Sequence, residues 1–376
     1  MKYMGSKRWM LQKGLGELLA SSSLDAKRFV DLFAGSGAVA THMARHFPLP
    51  VLAVDLQLYS GVLTGAIVQR KAQLSWEDVW MNWHASASRI ARSYRPPRAE
   101  KLTRGAVLEF RNWCEGRKAL PLTKAYGGHY FGTKQAIWLD ALRNSIPPEE
   151  PQRTVALAAL IHAASKCAAS PGHTAQPFQP TRSARRFILD AWGRDIVALA
   201  KSSLSDISKL FAQEVGSVQT ADANDAADSV RADDLVFLDP PYSGVHYSRF
   251  YHVLESVASG KPGPVSGVGR YPDRSLRPQS LYSLKGKSAD AMSDLLGKIG
   301  AKGASAILTF PAHECSNGLS GTLVLELARQ HFQVQEKRVE SKFSTLGGTK
   351  SERDKKGKGR TARQSGWELI LSLTPK

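Results

Sequence analysis

Arg28-Phe29-Val30-Asp31-Leu32-Phe33-Ala34-Gly35-Ser36-Gly37-Ala38-Val39-Ala40-Thr41 is the stretch from which the fold can be read. Residues 28–33 read as a strand, Ala34-Gly35-Ser36-Gly37 as a tight turn, and Ala38 to Arg45 as the start of a helix. Glycine at 35 and 37 lets a ligand approach the backbone more closely than any Cβ would allow. The helix N-terminus beyond them favours negative charge such as a carboxylate. A second short apolar strand, Val51-Leu52-Ala53-Val54, ends in Asp55, about 20 residues past the glycines, where dinucleotide-type folds place a ribose-binding acid. A lone Gly-x-Gly is weak punctuation, whereas the order strand, glycines, helix, strand, acid is a nucleotide-cleft pattern. It fits a dinucleotide and S-adenosylmethionine equally.

Working outward, the apolar run Asp234-Leu235-Val236-Phe237-Leu238 leads directly into Asp239-Pro240-Pro241-Tyr242. A buried strand ending in a rigid turn would hold a carboxylate, a backbone carbonyl and an aromatic ring together. Chemistry on the exocyclic amine of a planar base needs that set. The Asp239 oxygen and the Pro240 carbonyl accept the two N–H bonds, and the Tyr242 ring stacks on the base face. Two prolines fix φ and leave little ordering for binding to do. An ordinary strand exit also favours Asp and Pro.

The two motifs together resemble the DNA amino-methyltransferases, specifically the adenine-N6 enzymes of the D12 class (Dam-like, α group). In that family a Phe-x-Gly-x-Gly loop, here Phe33 to Gly37, binds S-adenosylmethionine, and an Asp-Pro-Pro-Tyr loop, here Asp239 to Tyr242, holds the target adenine. The family also opens with an aromatic-x-Gly-Gly-Lys-like segment. Tyr3-Met4-Gly5-Ser6-Lys7 matches it in part, with Ser6 in place of the second glycine. The resemblance implies cofactor contacts from Tyr3, Lys7, Asp31, Phe33, Gly35, Gly37, Asp55 and Asp222, and a catalytic set of Asp239, Pro240 and Tyr242, with no metal required. It implies an α/β fold: a seven-stranded, Rossmann-like methyltransferase sheet with an inserted, mainly helical target-recognition domain. Cytosine-N4 methylation uses the same geometry and is the nearest rival. A non-catalytic DNA-binding protein on the same fold is a rival of another class.

The expected organisation is a cofactor half over 1–72, the insertion over 73–215, and a catalytic half over 216–376. In the last part, strands are expected at 218–222, 235–238, 304–310, 332–339 and 367–373, with a helix over about 319–330. Alternating strands and helices argue for a mostly parallel sheet with ligands at the strand C-terminal ends. The final two strands lack a helix between them and are expected to pair antiparallel.

The insertion is rich in Trp, Arg and His. Tyr126-Gly127-Gly128-His129-Tyr130-Phe131-Gly132 reads as a flexible aromatic segment, and 170–186 as a polar loop ending in Arg182, Arg185 and Arg186. Such loops suit an enzyme that extrudes a base and grips phosphates. Residues 243–252 are expected to close over the base, and Arg270, Arg274 and Arg277 to contact DNA. The basic segment 347–366 cannot bury enough apolar surface to order itself and is expected to be mobile.

The formal charge of +18 over 376 residues suits a polyanion such as double-stranded DNA. Three scattered cysteines, Cys114, Cys167 and Cys315, lack metal-ligand spacing and fit a reducing cytoplasm. None follows a proline as in the cytosine-C5 enzymes. No signal peptide or membrane span is expected, so the chain reads as cytoplasmic with no membrane partner. A monomer is expected. No nuclease motif is seen and modification alone is the expectation, with a separate restriction endonuclease or defence-system partner left open.

Overall fold

The computed structural model describes residues 7–342 and 365–376. Two compact units emerge from it: one holds residues 57–212 and 248–278, the other the remaining described segments.

The sheet unit contains seven strands: β1 (Arg28–Asp31), β2 (Val51–Asp55), β3 (Ser217–Thr220), β4 (Asp234–Leu238), β5 (Ser305–Pro311), β6 (Phe332–Lys342) and β7 (Ser365–Pro375). Their order is β3-β2-β1-β4-β5-β7-β6. The first five are parallel, while β7 runs antiparallel to both β5 and β6. This is the seven-stranded methyltransferase sheet expected from the motifs, including its antiparallel terminal pair. Strand β4 is buried at every position, as a central parallel strand covered on both faces must be. Its apolar run carries no alternation for that reason.

One sheet face builds the main core. Val30, Leu32, Leu52, Val54, Val236, Leu238, Leu308, Phe310, Leu369 and Leu371 pack there with Met292, Leu295, Leu296 and Ile299 of helix Ser288–Ala301 and Val324 and Ala328 of helix Gly321–His331. The opposite set of side chains from β1, β5 and β7 follows by alternation: Phe29, Asp31, Ile307, Thr309, Glu368 and Ile370. Helix Ala38–His46 lies against β1 and β2.

The register of β1 on β4 is locked at its start. Arg28 forks onto Asp234, with Nε 2.8 Å from Oδ1 and Nη2 2.5 Å from Oδ2, at the position where the two residues pair across the sheet. That register carries Asp31 opposite Phe237, so the two strands end side by side.

The other unit is helical. Its longer helices are Leu58–Val68, Glu77–Arg92, Arg104–Glu115, Thr133–Asn144, Gln152–Cys167, Ile196–Ser208 and Tyr247–Ser259. Arg70 ties the two ends of the 57–212 segment together. Its buried guanidinium donates to the carbonyls of Ala66, Ala72, Ile207, Ser208 and Leu210. Glu255 explains why the segment after Tyr247 belongs here too. Its carboxylate accepts the N–H groups of Leu58 and Tyr59, both at 3.0 Å, and so caps a helix N-terminus that has no side-chain cap of its own. Asp140 does the same for Leu122 and Thr123 at 3.0 and 2.6 Å, with its carboxyl pushed up to about 6 by burial.

Several local expectations are corrected. The strand expected over 218–222 ends at Thr220, because Asp222 leaves the sheet to cap the helical turn Ala223–Ala226. Residues 126–132 form part of the core and not a flexible loop. Tyr126, Tyr130 and Phe131 are fully buried. The Tyr126 hydroxyl lies 2.7 Å from Ser256 Oγ, and the Tyr130 hydroxyl donates to the carbonyls of Thr174 and Gly269. Satisfied hydroxyls let those rings fill space between helices. The stretch after Tyr242 is helical from Tyr247, with a kink at Tyr251 (φ −128°). Thr174 exploits that kink, donating to the Phe250 carbonyl from its N–H at 2.6 Å and its hydroxyl at 2.8 Å. Tyr3 and the segment 343–364 lie outside the described residues.

Candidate functional site

Two loops meet at the C-terminal edge of β1 and β4, the edge where open α/β sheets bind ligands. After β1, Gly35 (φ 52°) and Gly37 (φ 71°) both take left-handed backbone. The Gly37 N–H donates to the Ala34 carbonyl at 2.7 Å, which closes the turn, and Ala34 is bonded to the Val54 carbonyl of β2 at 2.9 Å. Asp55, at the end of β2, accepts the Gly35 N–H on Oδ2 at 2.8 Å. The acid about 20 residues past the glycines therefore holds the turn itself.

Asp31 is buried at 1% exposure, with Oδ1 3.2 Å from the Phe33 N–H. Burial pushes its carboxyl up to about 8, and the neighbouring charges of Asp239 and Asp55 add to the rise. Phe33 meets the Tyr282 ring edge-on at 5.2 Å and 89°. Tyr282 is fixed in turn by its hydroxyl, which donates to Asn224 Oδ1 at 2.8 Å. Asp222 accepts the Asn224 N–H at 2.9 Å, so its observed part is helix capping.

The second loop is held at both ends. Asp239 Oδ1 lies 3.0 Å from Lys7 Nζ and accepts the Thr309 hydroxyl at 3.0 Å. Lys7 also donates to Glu368 Oε1, and both members of that pair are buried. Further along, the Pro241 carbonyl accepts Asn317 Nδ2 at 3.0 Å. Asn317 is wholly buried and donates to the Tyr282 carbonyl as well, at 2.9 Å. Tyr242 packs against the main core at its edge. Among the described residues, no donor reaches Asp239 Oδ2 or the Pro240 carbonyl.

Burial pushes the Asp239 carboxyl up to about 6; Lys7 opposes that rise and Glu368 adds to it. Lys7 is held above the ordinary lysine range: burial works against its charge, and the carboxylates of Asp239 and Glu368 outweigh it. Burial also raises the Tyr242 phenol.

A family model described as the D12 class N6 adenine-specific DNA methyltransferases matches residues 3–87 and 186–267. Over those two segments the chain is similar to this family. Both loops fall within the two D12-matched segments, and the unmatched stretch between them is the central helical region. Among curated relatives, it is 24% identical over 301 residues to the modification methylase StsI of Streptococcus sanguinis, covering 80% of this chain and 42% of that one. It is 28% identical over 277 residues to the type II methyltransferase M.NlaIII of Neisseria lactamica, covering 69% of each. It is 23% identical over 323 residues to the modification methylase LlaI of Lactococcus lactis subsp. lactis, covering 80% of this chain and 44% of that one. The chain thus spans less than half the length of StsI and LlaI.

D12 methyltransferases use S-adenosylmethionine, and the residues present fit that group. Left-handed glycines line the turn, and the charges of Asp55 and Asp239 bear on the Asp31 carboxyl at its edge. Asp31 is costly to ionise alone, and a ligand bearing cationic sulfonium and ammonium groups would relieve that cost.

Of the residues singled out from sequence, Asp31, Phe33, Gly35, Gly37 and Asp55 gather at the first loop, and Asp239, Pro240 and Tyr242 at the second. Lys7, expected beside the cofactor, pairs with the Asp239 carboxylate. Arg270, expected on DNA, is committed within the helical unit: it donates to the carbonyls of Ala125 and Lys124 and pairs with Glu115. Arg249 and Arg277 both lie over the Tyr271 ring, at 4.7 and 5.5 Å. Sequence reading missed Glu368, Thr309 and Asn317. The one available signal was Glu368, a lone acid in phase with Ile370 within the otherwise apolar run from Trp367 to Leu371.

Proposed function

We propose that this chain methylates adenine N6 at a specific site in double-stranded DNA, with S-adenosylmethionine as donor. The observation that carries the reading is the shared edge of β1 and β4. The Asp31–Phe237 register sets the glycine turn beside the Asp-Pro-Pro-Tyr loop, close enough for the Asp239 charge to bear on the Asp31 carboxyl.

In this reading Asp31, Phe33, Gly35, Gly37 and Asp55 hold the cofactor. When bound, S-adenosylmethionine supplies a methyl group activated by a sulfonium, whose C–S bond pair returns to sulfur. The target adenine leaves the duplex stack to reach the pocket. Asp239 Oδ2 and the Pro240 carbonyl accept the two N6 hydrogens, and the Tyr242 ring stacks on the base. Two acceptors draw the nitrogen lone pair out of conjugation and aim it at the methyl carbon. As the N–C bond forms, nitrogen becomes cationic and Oδ2 is placed to take its proton. Catalysis rests on positioning and on charge arranged in advance.

The net charge of +18 favours a duplex along the surface. Among the described residues no helix is long and apolar enough to cross a membrane; a cytoplasmic location is part of the proposal. A monomer, with any cognate endonuclease on a separate chain, completes the proposal. The description of the matching family model favours the adenine reading over cytosine-N4 methylation, and the names of the relatives favour a modification role. Nucleoside analysis of DNA from cells expressing the protein tests it: N6-methyladenine is expected, and N4-methylcytosine or unmodified DNA would overturn it.

A further inference from the structure

We infer that Glu368 is a positioning residue for this reaction, acting through Lys7 to keep Asp239 a strong acceptor for the amine of the base. The inference rests on the function proposed above. Glu368 lies outside both matched segments, on the antiparallel strand β7.

Its geometry is set by strand pairing. Glu368 stands opposite Pro311, and Thr309 stands opposite Ile370, so alternation places Thr309 and Glu368 on one face of neighbouring strands. From there Thr309 reaches Asp239 directly, while Glu368 reaches it through the Lys7 ammonium. Lys7 and Glu368 are 5% and 3% exposed, so water does little to screen them. One ammonium therefore serves the buried Glu368 carboxylate and the partly exposed Asp239 carboxylate. Burying an acid on a sheet is costly, and a plain structural tie from Lys7 to the strand would be met by any neutral acceptor. A second full negative charge does something a neutral acceptor does not: it divides the ammonium between two partners. A Lys7 devoted to Asp239 alone would neutralise it and weaken its hold on an N–H donor. The other titratable groups that bear on Asp239 are Asp31 and Tyr242. Asp31, pushed up to about 8, is mostly uncharged at neutral pH, and the Tyr242 phenol is neutral there.

The test is a pair of substitutions with opposite expected effects. Methyl transfer to DNA is followed against pH at saturating DNA and S-adenosylmethionine. Glu368→Gln keeps shape and a hydrogen-bond acceptor for Lys7 but removes the charge. It is expected to move the acid limb of kcat to lower pH by about one pH unit, and to lower the plateau several-fold. Cofactor affinity by calorimetry and the melting temperature should stay near wild type. Lys7→Met is expected to move the same limb to higher pH. A carboxyl NMR titration of Asp-labelled protein, assigned with Asp239→Asn, reads the same displacements without turnover. Failure of the methylation reading, with no product from wild type, therefore leaves this test standing. Where Lys7→Met does not fold, the Glu368→Gln titration decides alone. An unmoved Asp239 in Glu368→Gln, or a loss seen only in melting temperature, overturns the inference.

Discussion

Lys7 Nζ lies 3.0 Å from Oδ1 of Asp239, the same oxygen that accepts the Thr309 hydroxyl at 3.0 Å. Both donors converge on one oxygen of the carboxylate, and among the described residues none reaches the other. The carboxylate is aimed before any base arrives, so the ordering cost of binding is reduced.

Thr309→Val removes one of those donors while preserving shape and β-branching. A fall in kcat of about tenfold is expected, the order of one lost hydrogen bond to a charged group. Steady-state kinetics on duplex DNA checks this, and a loss confined to KM would show that Thr309 does not aim the carboxylate.

Asp239→Asn replaces the acceptor by an amide while keeping its volume. Methylation is expected to fall by about a thousandfold or more, as when a charged group that touches the reacting atoms is lost. S-adenosylmethionine affinity, measured by calorimetry, is expected to stay within a few-fold. Retained turnover would refute the assignment of the loop.

Asp31 links cofactor binding to pH. Its folded carboxyl sits at about 8, above the unfolded carboxylate, because burial disfavours its charge. Stability from this group is full below the unfolded carboxylate range and is lost as pH rises through about 8. A cationic ligand beside it favours the charged form, so binding should release a proton near neutral pH. Calorimetry in two buffers of different ionisation enthalpy measures that release. Asp31→Asn should abolish the buffer dependence and raise the melting temperature more at high pH than at low pH.

Arg70→Met would strand the carbonyl groups that now share one buried guanidinium. A loss on the order of 3 kcal/mol is expected from unsatisfied buried acceptors. Urea unfolding should show it, with the helical unit losing protection first in hydrogen exchange.

Much of this arrangement was legible in the chain because it is local. The Phe33–Gly37 turn and the Asp239–Tyr242 corner each compress strand end, turn chemistry and functional group into a few consecutive residues. The antiparallel terminal strands followed from the missing helix between them. The aromatic run 126–132 was misread for the opposite reason. Tyrosine beside glycine serves a mobile stacking loop and a tightly packed helix junction equally well, and only the partners of Tyr126 and Tyr130, at Ser256, Thr174 and Gly269, distinguish them. Arg270 likewise carried a charge that suits phosphate, yet its donors are spent on Ala125, Lys124 and Glu115.

By itself the sequence determined the sheet, its central strands and the two loops at their ends, because hydrophobic period and turn residues act over short range. Only the tertiary structure decided what stands behind Asp239. Lys7 and Glu368 are 361 positions apart and meet because β7 inserts beside β5 in one register, and no local pattern encodes that register. Buried charge then makes the meeting consequential, since an ammonium shared out of water cannot be replaced by solvent.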